Sequence, residues 1–408
     1  MSLQILFETA PTPSTARMLQ PNLLREMQLL ARRLGLRWVE WVPGEAGVEF
    51  CPGGTLYVAQ TAGGLRGSAQ TSAAGPGFHK AAADFLLTYS RQAWVELRVQ
   101  DDTGFWELRD FGALRQQFYT WLRDMLYTLT QVQPGASGIH VNFPTDAWYP
   151  ARREGVCTPL GVFSAAEVPA LLAAPSVSTL AQQFFVWPNV ERDALYHRNA
   201  ALWLLWNDCT WTSPRTPLER TLGEAALAHL DAARRLDPLL PLPLAAWGEL
   251  AALMETPTPS GCVPPDLPLS EPIGYRRGDL LIPFPHDWVA RLPGRFLFAE
   301  TDKGPIYWDL DRTFRLVPMP RQEVLQDDSG GLDAFFAGWQ TLPRLDACRT
   351  FYQIHPPNAS PASHWILTGA VVDADTIAMV AAAWKDPQDE AWAVQALSSV
   401  RRLRTAPG

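Results

Sequence analysis

The chain has 408 residues, 47% apolar and 19% charged, with a formal net charge of −8. That length exceeds what a single core ordinarily fills and predicts two or three domains of globular rather than disordered type. The cations are scattered, often as pairs such as Arg32–Arg33 and Arg234–Arg235, which excludes the contiguous basic face a nucleic-acid binder needs.

Five short runs rich in β-branched or aromatic residues predict strands at Leu3–Phe7, Arg37–Val42, Thr55–Gln60, Trp94–Gln100 and Gly138–Phe143. Between them, helical periodicity covers Asn22–Leu34, Phe78–Ser90 and Phe111–Thr130, the last with an apolar stripe through Leu114, Phe118, Trp121, Leu122, Met125 and Leu129. The run Gly63, Gly64, Gly67, Ser68, Thr71 and Ser72 reads as a donor-rich loop. Residues 164–254 read as mostly helical. Glu191–Trp206 begins with acids and ends in the run Ala200–Trp206, apolar all round as a buried helix would be, and Pro217–Leu236 opens on a proline suited to a first turn. Its piece Ala225–Pro238 resembles the second helix of a tetratricopeptide repeat, but no 34-residue recurrence accompanies it.

Six prolines between Glu255 and Pro272 break any helix or central strand, marking a connector. Beyond it, short segments at Leu280–Ile282, Arg295–Phe298, Ile306–Leu310, Phe314–Val317, Trp365–Val372 and Thr376–Trp384 predict an antiparallel sheet, with a helix at Leu332–Thr341. The arrangement resembles small α+β domains of the PsbP-like kind, a resemblance that carries no functional residue. The expected fold is therefore α+β. It comprises a mixed domain over 1–163, a helical extension over 164–254, a proline-rich linker over 255–272 and an antiparallel α+β domain over 273–408.

The five cysteines are dispersed, which speaks against a disulfide framework or a cysteine-based zinc site. The N-terminal residues lack the pattern of a secretory signal, and no run approaches eighteen uninterrupted apolar residues. A cytoplasmic location without a membrane span is the expectation. The preference for arginine over lysine, with abundant alanine and proline, resembles the coding bias of a GC-rich bacterial genome.

The segment Gly75-Pro76-Gly77-Phe78-His79-Lys80 stands apart, because Lys80 is one of only three lysines in the chain. Glycines admit close approach to the backbone, and helix N-termini attract anions. The segment matches neither G-x-x-x-x-G-K-[ST] nor G-x-G-x-x-G. Under an enzymatic reading Gly75, Gly77 and Lys80 would bind an anionic small molecule, with His79 and the strand-end carboxylate Asp101 as acid and base. Asp327–Asp328 reads as a solvated turn. No metal site and no cofactor is expected, and the usual nucleophile signatures are absent.

Seventeen tryptophans, among them the group Trp203, Trp206 and Trp211 and the loop Trp148-Tyr149-Pro150, fit either buried junctions or aromatic contact surfaces. With no catalytic motif, the first expectation is a binding or interaction protein of accessory or immunity type, its partner another protein. The alternative is the enzyme on an anionic small molecule.

Overall fold

A computed structural model describes residues 2–9, 22–131, 139–140, 155–164, 167–173, 177–257, 263–269, 272–301, 304–324, 331–344, 346–357 and 364–403. Asp327–Asp328, Trp148-Tyr149-Pro150, most of Gly138–Phe143 and part of the proline-rich connector lie outside these residues. The fold is α+β. Described residues up to 274 belong to one unit and those from 275 to another.

The first unit is built on strands β1 (Gln4–Thr9), β2 (Arg37–Val42), β3 (Glu45–Cys51), β4 (Gly54–Thr61), β5 (Gly64–Gln70) and β6 (Leu97–Asp101), with helices α1 (Leu23–Arg33) and α2 (Pro76–Ala93) interposed. The strands form one antiparallel sheet in the order β2-β3-β4-β5-β1-β6. Alternation places Ile5, Phe7, Val48, Leu56, Val58, Leu65 and Ala69 on one face, all buried, while Glu8, Tyr57 and Arg66 are exposed on the other. Helices α1 and α2 cover the apolar face with Met27, Leu30, Phe78, Ala82, Phe85 and Leu86.

Two of these strands differ from expectation: β3 is not among the predicted strands, and Gly63–Ser72 reads as a loop. Small residues in β5 are a packing requirement. A Cβ at Gly67 would collide with the Tyr57 carbonyl and the Phe7 ring. Cross-strand pairing overrides the weak strand propensity of Gly-Leu-Arg-Gly-Ser-Ala-Gln.

Helices follow their caps. Asn22 accepts from the Arg25 N–H at 3.0 Å to open α1. The short helix α3 (Phe105–Leu108) leads to α4 (Phe111–Leu129), whose cap Asp110 accepts from Gly112 and Ala113. Of the α4 stripe, Leu114, Phe118 and Leu122 are buried, and Leu126 completes it. A three-stranded sheet of β7 (Ile139–His140), β8 (Gly155–Thr158) and β9 (Gly161–Ser164) precedes α5 (Glu167–Ala173), α6 (Val177–Phe184) and α7 (Ala194–Trp203). Helix α7 runs into a π-helical turn at Leu204–Asp208, where the Asn207 amide donates to the Trp203 and Pro159 carbonyls. Thr216 and Glu219 form a reciprocal capping box for α8 (Pro217–Leu236), and α9 (Leu244–Leu253) packs against it. Trp203, Trp206 and Trp211 are all buried here, so this aromatic group is core rather than surface.

The second unit holds a sheet of β10 (Asp279–Phe284), β11 (Trp288–Pro293) and, at the C-terminal end, β19 (Arg401–Arg402). Its larger sheet is antiparallel, made from β12 (Leu297–Ala299), β13 (Ile306–Trp308), β14 (Arg312–Pro320), β15 (Gln340–Leu342), β16 (Arg349–His355), β17 (Trp365–Val372) and β18 (Thr376–Trp384), with the short helices α10 (Arg321–Val324) and α11 (Gly331–Phe335) between. Strand order is β12-β13-β14-β18-β17-β16-β15. The expected helix at Leu332–Thr341 shortens to α11, and the chain re-enters the sheet as β15. Helix α12 (Glu390–Ser399) packs on β17 and β18, Leu397 lying over the bare backbone of Gly369. No described helix is long and apolar enough to cross a membrane.

Candidate functional site

Gly75 caps α2 with φ +100°, a conformation side-chain-bearing residues resist, and Pro76 fixes the first helical turn. The chain around Trp187 lies against this turn: the Trp187 N–H donates to the Ala74 carbonyl at 2.7 Å, and the Gly77 N–H donates to the Trp187 carbonyl at 2.9 Å. A Cβ on Gly75 would meet Phe185, and one on Gly77 would meet the Trp187 ring. The glycines therefore admit another part of the same chain. One of the helix donors that could face an anion is already taken.

His79, one turn in, is 0% exposed. Its Nδ1 lies 3.0 Å from the Thr71 hydroxyl, and its Nε2 lies 3.1 Å from Asp101 Oδ1 and 3.2 Å from the Thr103 hydroxyl. Thr71 donates its own proton to the Leu3 carbonyl, so it accepts from Nδ1–H. On the other side the Asp101 carboxylate accepts from Nε2–H, making a buried His–Asp ion pair. Phe105 and Phe118 meet the imidazole edge-on. Asp101, its side chain 1% exposed, also accepts from the Thr103 N–H, the Thr103 hydroxyl and the Trp106 N–H. Burial by itself would raise its pKa, but the bond and charge of His79, together with Thr103, hold the carboxyl well below the ordinary value.

Hydroxyl, imidazole and carboxylate in line have the order of a nucleophile–base–acid relay. Here Thr71 is 0% exposed and its proton is committed to a backbone carbonyl, so no substrate atom can reach it. The network ties β1, β5, α2 and β6 together at the bottom of the sheet's covered face. His79 and Asp101 thus meet, as the enzymatic reading required, but away from solvent. Lys80 points elsewhere: its Nζ pairs with Asp84 at 2.6 Å, and Arg109 joins the same carboxylate at 3.1 Å while stacking over Trp106.

The exposed features of this unit lie on the sheet's open face. An open trough of about 910 Å³ crosses it, lined by residues that include Leu6, Glu8, Trp41, Tyr57, Arg66 and Arg98. Trp41 stacks on Tyr57 with ring centroids 5.2 Å apart, each residue 49% exposed. Gly47 makes this possible, since a Cβ there would clash with the Trp41 ring. Arg98 pairs with Glu8 at 3.5 Å, whereas Arg66 has no acid within 4.0 Å among the described residues. Trp41, Tyr57 and Arg66 were missed as site candidates by the sequence reading. The alternation of Arg37-Trp38-Val39-Glu40-Trp41-Val42 was the available signal, since it leaves an aromatic ring outside whichever face is buried. No protein-family model matches the chain, and no curated protein is significantly similar to it.

Proposed function

We propose that this is a cytoplasmic bacterial binding protein, of accessory or immunity type, that holds another protein on the open face of its N-terminal sheet. The observation that carries this reading is the half-exposed Trp41–Tyr57 stack on a trough that also holds arginines. Interface hot spots concentrate Trp, Tyr and Arg in such settings. Rigid aromatic rings lose little conformational freedom on contact, and the missing side chain of Gly47 leaves room for the Trp41 ring. Both signs of charge occur on the face, with Glu8 and Glu45 beside Arg66 and Arg98. That mixture suits a folded protein surface and opposes a polyanion. The enzymatic alternative at Gly75–Lys80 gains no support from a histidine with no exposed surface.

A photo-crosslinking residue at Tyr57, expressed in the source cells, tests the reading, with the same residue at exposed Thr128 on α4 as control. One discrete protein adduct at Tyr57, absent at Thr128, is the expected result. Equal labelling at both positions, or none at Tyr57, would overturn it.

A further inference from the structure

A second concavity in the same unit opens where the β3–β4 turn meets α7 and α8. Its volume is about 590 Å³, within the range of small-molecule sites, and larger than a simple inorganic ion requires. Phe50, Leu36, Leu204 and Leu222 supply apolar wall, and the polar lining converges on Arg192, His197 and His229.

Arg192 immediately precedes the cap of α7. Its guanidinium lies 4.7 Å above the Trp187 ring and 5.5 Å from the Tyr196 ring, and its Nη2 donates to the Phe50 carbonyl at 2.8 Å. These contacts orient the group but, among the described residues, engage only one of its five N–H donors. No carboxylate lies within 4.0 Å of it among the described residues, whereas the other arginine of the cleft, Arg37, is paired with Glu49 at 3.1 Å. A fixed, unpaired guanidinium on an apolar-walled cleft is suited to bidentate capture of an oxyanion.

His197 on α7 and His229 on α8 face one another with Nδ1 atoms 2.9 Å apart. Such a bond needs a proton on one Nδ1 and a lone pair on the other. The neutral pair therefore holds one Nε2–H and one bare Nε2, and it can accept a single further proton at the bare nitrogen without losing its mutual bond. Burial first, and the Arg192 charge with it, lowers the pKa of both rings; for His229, where the neighbouring His197 adds to the effect, it falls to about 4. Asp193 acts in the opposite sense on His197, and Arg235 with Arg192. Asp208 and Glu49 also line the cleft, as do Cys51 and Tyr196, whose pKa values burial raises.

We propose that this cleft binds a small molecule with an apolar body and one carboxylate or phosphate group, which Arg192 grips while the His197–His229 pair takes up one proton. The coupling follows from the charges: an anion on Arg192 offsets that cation's share in keeping the buried rings neutral, so binding and protonation favour each other. The site is independent of the sheet-face reading above.

Benzoate and phenyl phosphate titrated into the full chain, by calorimetry in two buffers of different ionisation enthalpy, give affinity and proton uptake together. The preferred probe separates a carboxylate ligand from a phosphate one. Binding of at least one probe is expected to tighten from pH 8 to pH 6, by at most about tenfold per pH unit for one coupled proton. Arg192→Gln is expected to weaken binding about tenfold or more and Arg192→Lys less, since lysine keeps the charge without the fork. In the His197→Gln/His229→Gln double variant, proton uptake on binding benzoate disappears. The proposal is overturned if neither probe saturates, if neutral benzamide binds as well as benzoate, if binding takes up no proton, or if folded Arg192→Gln binds like the wild type.

Discussion

Asp101 carries more of the first unit's polar organisation than any other single side chain described, because four donors converge on it in a place that excludes water. Removing one member of a buried ion pair leaves the other uncompensated, at a cost of about 3–5 kcal/mol. Asp101→Asn should therefore lower unfolding stability by that order in a denaturant titration near neutral pH. The pH dependence has a definite sign. The folded-state pKa of Asp101 is depressed, so its contribution is fully present above the unfolded carboxylate value of about 4 and is lost as pH falls from there toward the folded value. Thermal melts from pH 6 downward should show the wild type losing stability faster than Asp101→Asn; parallel curves would contradict the ion pair. The sequence singles out His79, Lys80 and Asp101, yet it cannot separate a buried pair from a reactive one. That distinction depends on Thr71, Phe118 and Trp187, which approach from distant parts of the chain.

At the scale of elements, local chemistry was legible where a cap or a clear period existed. Pro217–Leu236, Arg37–Val42, Trp365–Val372 and Thr376–Trp384 were bounded as they fold. Helix α8 owes its start to the Thr216–Glu219 box, so Thr216→Ala should cost about 1 kcal/mol, measurable by chemical denaturation. Strands such as β5 and β11 were illegible for different reasons. β5 is built of small residues whose value lies in what packs against them. The β10–β11 hairpin turns through His286 and Asp287, both at positive φ, with no Asn-Gly or Asp-Gly to announce it. Gly67→Val places a branched side chain against the Tyr57 carbonyl and the Phe7 ring. A loss of about 1–3 kcal/mol or more in the same titration is expected from overpacking of this kind. An unchanged midpoint would mean that β5 is not held between its neighbours as described.

For the whole molecule, the α+β class and the antiparallel C-terminal sheet could be read from short, turn-bounded segments, but the proposed binding surfaces could not. Trp41 and Tyr57 are sixteen positions apart in sequence and become neighbours only through pairing of β2, β3 and β4. Arg192 and the two histidines likewise meet only through the packing of α7 on α8. The division of labour we propose assigns rigidity to the buried His79 network and recognition to the open sheet face. It is tested most directly by measuring how tightly the protein captured at Tyr57 binds two variants, Trp41→Ala/Tyr57→Ala and Lys80→Ala. The first should leave the melting temperature nearly unchanged and weaken binding by about thirtyfold or more, the equivalent of 2 kcal/mol for a hot spot. The second should bind like the wild type. Full affinity in the aromatic double variant, or loss of affinity in Lys80→Ala, would contradict the account.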